Sequence, residues 1–172
     1  MKVGEKVSDF LSAAYVNGNK QDVSLSDYSG RWVVLFFYPL DFTFVCPTEI
    51  RSFAKHESDF EKLDASVIGA STDSFYSHKA WYEKDLPEVR FPVLADTTHK
   101  ISRLFGVLKD DEGIAYRATF IIDPEGIVRY SAVSDLSVGR SVEEILRVLK
   151  ALQSGELCPV EWKPGEKTLG HA

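Results

Sequence analysis

One stretch decides the fold: WVVLFFYPLDFTFVCPTE, residues 32–49. Its first seven residues, 32–38, are apolar and rich in β-branched and aromatic side chains, which predicts a fully buried strand. Pro39 then opens a turn, and Pro47 suits the first position of a helix, where a missing backbone N–H costs nothing. The stretch therefore predicts a strand, a turn and a helix that has Cys46 at its N-terminus.

The position of Cys46 predicts a reactive thiol. Unpaired backbone N–H groups and the positive end of the helix dipole favour an anion there, so this thiol should ionise more readily than a free cysteine. Thr43 offers a hydroxyl that could accept from the sulfur or donate to a substrate oxygen, while Pro39 and Pro47 stiffen the loop on both sides. A buried, inert cysteine is the alternative interpretation, because cysteine is commonly buried in proteins.

Composition limits the classes of function. With 172 residues, 44% hydrophobic and 27% charged, the chain suits one globular domain over residues 1–172. The net charge of −6 argues against nucleic acid or an anionic membrane as a partner, because both select basic patches. The apolar runs are far shorter than the roughly 20 residues of a membrane span, and the N-terminus lacks the apolar segment of a secretion signal. We therefore expect a cytoplasmic protein.

The two cysteines, Cys46 and Cys158, point to thiol chemistry. They are too few for a disulfide scaffold and lie 112 positions apart (158 − 46), so the chain has no Cys-x-x-Cys motif. The four histidines show no metal-ligand spacing, and no Gly-x-Gly-x-x-Gly nucleotide motif is present, so we expect neither a metal nor a cofactor. Chemistry of the cysteines themselves remains.

The rest of the chain predicts an α/β fold in which helices flank a central mixed sheet. A short strand followed by the turn residues Asn17-Gly18-Asn19 indicates an N-terminal hairpin. Apolar periodicity predicts that the helix after Cys46 runs to about Leu63. Further predicted elements are a strand at 65–71, a helix at 75–83, a short strand before residue 96, a helix from Thr97 to Gly106, and an antiparallel hairpin formed by 116–123 and 127–133.

The C-terminal part begins with a helix and ends in an irregular tail. Ser141 and Glu144 have the spacing of a capping box, and Gly155 ends the helix. From about residue 155 to 172 periodicity is lost and proline and glycine punctuate the chain, which predicts a mobile tail. Cys158 lies in this tail near Trp162, either as an incidental free thiol or as a second reactive cysteine.

Three further residues have ordinary structural interpretations beside functional ones. Glu49, in the first helical turn, could be a solvated carboxylate that favours the helix dipole. Arg117, on a strand, would most often be an ion-paired surface residue. Trp81 is most simply a core aromatic on its helix.

Several motifs together resemble one family, the typical two-cysteine peroxiredoxins. The motifs are FYPLDFTFVCPTE at 37–49, RATFIID at 117–123, VGRS at 138–141 and ELCPVEWKPG at 156–165, so they are spread over nearly the whole chain. Members of this family are peroxidases with a thioredoxin-like fold, and the tail is most similar to that of the bacterial alkyl hydroperoxide reductase peroxidase subunit. The resemblance implies a thiol-specific peroxidase that reduces hydrogen peroxide and organic hydroperoxides.

The resemblance also implies roles for individual residues. Cys46 would be the peroxidatic cysteine that becomes a sulfenic acid, and Cys158 of the partner subunit would resolve it as an intersubunit disulfide. The residues implied to act around Cys46 are Pro39, Thr43 and Arg117 at the reacting centre, Glu49 and Arg140 as a supporting ion pair, and Trp81 near the pocket.

The implied partners are an electron donor and further copies of the chain. Thioredoxin or a flavoprotein disulfide reductase would reopen the disulfide, and the family implies homodimers gathered into a ring of five. Two alternatives stay open: a thioredoxin-like disulfide reductase, which would need a second cysteine where Glu49 stands, and a non-enzymatic holdase or scaffold ring, which could coexist with peroxidase activity.

Overall fold

The computed structural model describes residues 1–171. They fall into two compact units, residues 1–140 and a second unit that begins at Ser141. The single domain over residues 1–172 stays a prediction. No helix in the described part of the chain is long and apolar enough to cross a membrane.

The first unit contains nine strands, four α-helices and one 3-10 helix, Leu25–Tyr28, among the residues described. The strands are β1 (Leu11–Val16), β2 (Asn19–Ser24), β3 (Trp32–Phe37), β4 (Ala65–Ser71), β5 (Val93–Ala95), β6 (Leu108–Lys109), β7 (Ile114–Ala115), β8 (Arg117–Ile122) and β9 (Val128–Ser134). The helices are α1 (Cys46–Lys55), α2 (Glu57–Glu61), α3 (Phe75–Asp85) and α4 (Lys100–Phe105). The predicted N-terminal hairpin, β3, β4, α3 and the β8–β9 hairpin are confirmed.

Seven strands form one mixed sheet in the order β2-β1-β5-β4-β3-β8-β9. The predicted buried strand, β3, lies near the centre, parallel to β4 and antiparallel to β8. Phe37 at the end of β3 is paired with Ala118 at the beginning of β8. The antiparallel register therefore brings the N-terminal residues of β8 to the edge from which the loop to α1 departs.

The two faces of β3 bury different partners. Leu35 and Phe37 join the apolar cluster on one face, whereas Phe36 on the other face stacks on Phe53 of α1 with ring centroids 4.1 Å apart. Burial of each such aromatic side chain contributes roughly 1.5–3 kcal/mol. The Phe36–Phe53 contact thus holds α1, and with it Cys46, against the sheet.

The prediction of one helix from Cys46 to about Leu63 is wrong, because the helix is interrupted at His56. The His56 backbone, at φ −100° and ψ 7°, ends α1, and its N–H is shared between the Ser52 and Phe53 carbonyls. A new helix, α2, begins at Glu57. Phe60 of α2 packs on Phe53 of α1 across the interruption, with 6.3 Å between ring centroids.

The predicted start of α4 at Thr97 is also wrong, since the helix begins at Lys100. His99 has φ 58°, a left-handed conformation that cannot be part of a right-handed helix. The buried Asp96 carboxylate accepts hydrogen bonds from the Ile101 and Ser102 N–H groups at 3.1 and 2.7 Å. These bonds satisfy the first donors of the helix and set its beginning. Gly106 closes it as predicted.

The second unit consists of α5 (Val142–Ser154) and the tail that follows. Gly155, at φ 65°, ends the helix, and the described residues after it contain no helix or strand. The tail folds back on itself, because the Leu157 N–H donates to Gly170 and the Leu157 carbonyl accepts from Leu169, both at 2.8 Å. Trp162 is buried. The irregular backbone matches expectation, and mobility of the tail stays a prediction.

Replacing the N-cap residue of α5 should weaken the protein measurably. Ser141 Oγ accepts a 3.2 Å hydrogen bond from the Glu144 N–H, and loss of such a cap costs about 0.5–2 kcal/mol. We expect Ser141→Ala to lower the free energy of unfolding by that amount in a urea titration. Ser137→Ala, at an exposed site, is the control, with an expected change within about 0.5 kcal/mol. Equal effects of the two substitutions would contradict the capping role.

Candidate active site

Cys46 lies at the N-terminus of α1, as predicted. Pro39 is buried two residues after the end of β3, and residues 40–45 form the loop that leads to Cys46, with Pro47 in the first turn of the helix. The Cys46 side chain has 0% of its surface exposed. Burial would suit an inert cysteine, so the surroundings of the sulfur have to decide between the two interpretations.

Arg117 makes a direct contact with that sulfur. Arg117 is only 4% exposed, and its Nη1 donates to Cys46 Sγ at 3.3 Å and to Glu49 Oε2 at 2.6 Å. Its Nε donates to the Leu136 carbonyl at 2.7 Å, which fixes the plane of the guanidinium. The interpretation of Arg117 as an exposed ion-paired residue is therefore wrong. Arg117 thus places a permanent positive charge beside the sulfur.

Glu49 and Arg140 form a buried ion pair behind the Cys46–Arg117 contact. Arg140 Nε and Nη2 donate to the two Glu49 carboxylate oxygens at 2.7 and 2.9 Å, and the Arg140 backbone N–H adds a third bond at 2.9 Å. Arg140 Nη1 donates to the carbonyls of Phe37 and Ala118 at 2.7 Å, which ties the pair to β3 and β8. Glu49 is not the solvated carboxylate of the simpler interpretation.

The pKa of Glu49 reflects two opposing effects. Burial alone raises the pKa of this carboxyl, but the hydrogen bonds and charge of Arg140, together with the charge of Arg117, bring it below its usual range. Glu49 is therefore ionised at neutral pH. In this form its carboxylate accepts hydrogen bonds from both arginines and carries no proton to donate.

Thr43 and Trp81 lie on the loop side of the site. The Thr43 hydroxyl donates to the Leu40 carbonyl at 3.0 Å. Its oxygen retains lone pairs that can accept from another donor. Trp81 is buried on α3, with its ring centroid 5.7 Å from that of Phe42 in the loop. Trp81 is thus a core aromatic that also packs against the active-site loop.

A buried polar network beside the loop was missed from the sequence. Its centre is Asp41, whose carboxylate accepts from Tyr38 Oη at 2.7 Å and Ser77 Oγ at 2.8 Å and lies 2.8 Å from His78 Nδ1. Tyr82 Oη donates to Tyr38 Oη at 3.2 Å. Burial raises the pKa of both tyrosines well above the usual value, so they act as donors. A charged residue in an otherwise apolar loop was the available signal.

The other predicted thiol, Cys158, lies in the second unit. It is partly buried, with Sγ 3.6 Å from Ser154 Oγ, and both cysteines are free thiols. Within residues 1–171, no group of three or more His, Cys, Asp or Glu side chains could hold a metal ion. What the first unit brings together around one sulfur is Cys46, Glu49, Arg117 and Arg140.

This arrangement suits a nucleophilic thiolate that attacks a polar oxygen substrate. The guanidinium of Arg117 can stabilise the thiolate and offer further N–H groups to an oxygen atom close to the sulfur. Thr43, three residues before Cys46, can accept a hydrogen bond from a hydroxyl of the substrate.

Comparisons with known proteins agree with this chemistry. Residues 3–131 match the AhpC/TSA family. Peroxiredoxin-2 of Mus musculus is 51% identical over 177 residues, which cover 98% of this chain and 89% of that protein. The 2-Cys peroxiredoxin BAS1, chloroplastic, of Spinacia oleracea is 49% identical and covers 97% of this chain and 67% of its own length.

Solved structures give the same result for the fold. The reduced 2-Cys peroxiredoxin of Plasmodium vivax superimposes with a TM-score of 0.92 at 37% identity, covering 98% of this chain and 92% of that one. Enterococcus faecalis AhpC gives 0.88 at 39% identity, covering 91% and 98%. The thioredoxin-like fold is thereby confirmed. The chain belongs to the AhpC/TSA family and is a thiol-dependent peroxidase, an oxidoreductase of the peroxiredoxin type that acts in antioxidant defence.

Proposed function

We propose that Cys46 is the peroxidatic cysteine of this enzyme and that Cys158 resolves it. The observation that carries the proposal is the contact of 3.3 Å between Arg117 Nη1 and Cys46 Sγ at the first residue of α1. A cationic donor and a helix N-terminus both favour a sulfur anion. The thiolate is the form of cysteine that attacks the O–O bond of a peroxide.

In the first step the Cys46 thiolate attacks the terminal oxygen of a hydroperoxide in line with the O–O bond. A sulfur–oxygen bond forms, the O–O bond breaks, and the leaving alkoxide or hydroxide takes up a proton to become an alcohol or water. Cys46 is oxidised by two electrons to a sulfenic acid. Arg117 stabilises the charge on the separating oxygens. Thr43 binds the peroxide by accepting a hydrogen bond from its O–H group.

In the second step Cys158 of a neighbouring subunit attacks the Cys46 sulfur. The new disulfide forms as the sulfenic oxygen leaves and becomes water. Because Cys46 is fully buried, this attack requires the first turn of α1 to open until the two sulfurs lie about 2 Å apart. The tail that carries Cys158 would have to move as well.

The third step needs electrons from outside. An external dithiol of the thioredoxin type, or a flavoprotein disulfide reductase, would reduce the disulfide by thiol–disulfide exchange, and the cycle needs no bound cofactor. Resolution by a neighbour requires at least a homodimer. Exposed apolar side chains, including Phe42, Phe44 and Tyr76, favour contacts with further copies of the chain. A ring of five dimers is the assembly that we propose. A reducing compartment such as the cytoplasm would keep both thiols ready.

The test is the linkage formed by one equivalent of hydrogen peroxide. The reduced wild-type protein should give a disulfide-linked dimer on a non-reducing gel, with Cys46 joined to Cys158 in the peptide map. Cys158→Ser should stay a single chain, and intact mass after dimedone trapping should show a sulfenic adduct on Cys46. An intrachain disulfide in the wild type would contradict resolution by the neighbour. A wild-type chain that stays reduced would contradict the assignment of Cys46.

A further inference from the structure

The active-site loop is held from outside by Asp73, which follows β4. Asp73 Oδ2 accepts a hydrogen bond of 2.9 Å from the Asp41 backbone N–H. Asp73 is itself fixed by the buried Ser71, whose Oγ donates to Asp73 Oδ2 at 2.8 Å and accepts from the Asp73 N–H at 3.1 Å. The carboxylate that holds the loop is thus anchored to the end of a central strand.

The backbone next to this contact is strained. Phe42 has φ 55°, a left-handed conformation that a bulky residue rarely adopts. Such a conformation costs about 1–3 kcal/mol and persists only where the surroundings hold the chain in place. The hydrogen bond from the Asp41 N–H to Asp73 is a hold of this kind, one residue before the strained position.

The strained turn determines where the next residues go. It reverses the chain so that the Thr43 hydroxyl reaches back to the Leu40 carbonyl at 3.0 Å, and three residues later Cys46 begins α1. Asp73 touches neither Thr43 nor Cys46 in any hydrogen bond of the described chain. Its influence on the reacting groups has to pass through the loop.

We propose that Asp73 is a positioning residue for peroxide reduction. Its hydrogen bond from the Asp41 N–H fixes the loop and thereby places Thr43 beside Cys46. The inference rests on the proposed function, since it concerns the step in which the Cys46 thiolate attacks the peroxide. Asp73 transfers no proton and touches no substrate. A displacement of about 1 Å in a reacting group can cost about 100-fold in rate, so a residue remote from the chemistry can matter.

The test compares Asp73→Ala with Asp73→Asn. We expect Asp73→Ala to lower the second-order rate of Cys46 oxidation by hydrogen peroxide, followed by stopped-flow fluorescence, by about 10–100-fold. Asp73→Asn keeps an oxygen acceptor for the Asp41 N–H and should stay within about threefold of the wild type. Alkylation of Cys46 by iodoacetamide does not use Thr43, so its rate should not fall in either variant.

A double-mutant cycle tests whether Asp73 acts through the loop. Thr43→Val should slow Cys46 oxidation less in the Asp73→Ala background than in the wild type, because Thr43 is already displaced. Asp96→Ala is the matched control: Asp96 also follows a strand and holds backbone N–H groups, but those of α4. It should lower stability without slowing oxidation.

Four results would overturn the inference. The first two are a wild-type rate of Cys46 oxidation in Asp73→Ala, and a rate that falls equally in Asp73→Asn and Asp73→Ala. The others are effects of Asp73→Ala and Thr43→Val on this rate that simply add, and a rate in Asp96→Ala that falls as much as in Asp73→Ala. If Asp73→Ala does not fold, Ser71→Ala replaces it, with an expected loss of about threefold; an unchanged rate there would overturn the inference as well. Failure of wild-type Cys46 to react with peroxide would instead overturn the proposed function.

Discussion

Cys46→Ser should lower the rate of peroxide reduction by a factor of at least about 10⁴. A serine hydroxyl is a far weaker nucleophile than a thiolate, and Arg117, whose Nη1 lies 3.3 Å from the native sulfur, cannot make up the difference. The substitution preserves the size of a buried side chain, so the loss should come from chemistry and not from the fold. The measurement is consumption of hydrogen peroxide by the reduced protein with dithiothreitol as electron donor.

Cys158→Ser is the matched control for Cys46→Ser, because it removes the other thiol of the chain. Under single-turnover conditions it should still consume about one equivalent of peroxide per subunit, since Cys46 reacts before resolution begins. Rapid consumption of peroxide by Cys46→Ser would show that the reactive thiol lies elsewhere.

Glu49→Gln should lower the free energy of unfolding by about 3–5 kcal/mol. The substitution leaves Arg117 and Arg140, two buried guanidinium groups, without the carboxylate that both contact at 2.6–2.9 Å. Removing one partner of a buried ion pair is costly because the remaining charge stays out of water. Urea titration at pH 7 measures the change.

Glu88→Gln provides the matched control for Glu49→Gln. The Glu88–Arg51 ion pair has about half of each side chain exposed, and surface pairs contribute about 0–1 kcal/mol. A loss in Glu49→Gln no larger than that in Glu88→Gln would mean that the buried pair does little for the fold.

The buried ion pair of Glu49 also predicts in which direction stability changes as the pH falls. The folded-state pKa of Glu49 lies below its ordinary value of 4.5, so its contribution to stability is present above that value and is lost as pH falls through the folded pKa. The difference between wild type and Glu49→Gln should therefore shrink below about pH 4.5. The pH dependence caused by the other carboxyl groups cancels in this difference, because both proteins contain those groups. A difference independent of pH would contradict an ionised Glu49.

The main elements of the fold could be predicted because their signals are local. The apolar run before Pro39 forms a strand that is paired on both sides in the sheet. The hairpin that begins at Arg117 has turn-forming residues between its two strands. The break at His56 has no local signal, because the apolar periodicity continues through it to Phe60 and Leu63. The start of α4 depends on the left-handed conformation of His99.

Some residues of the site could likewise be predicted from local sequence, and others could not. Cys46 at a helix N-terminus follows from neighbouring residues, whereas Arg117 lies 71 positions away and could be assigned only through a family motif. The Asp41–His78 contact joins residues 37 positions apart. Asp41 and His78 carried no spacing pattern that sequence reasoning uses. Long-range hydrogen bonds between buried side chains are what the chain alone did not reveal.

The interruption at His56 also sets the size of the segment that can come apart on its own. α1 has ten residues, and a helix of that length is marginal without tertiary contacts. Because α2 begins separately at Glu57, loss of the α1 hydrogen bonds does not by itself break those of α2. In hydrogen-exchange terms, we expect the amides of residues 46–55 to exchange as a unit distinct from those of α2. Opening of α1 in the proposed resolution step would then leave the amides of the central sheet protected.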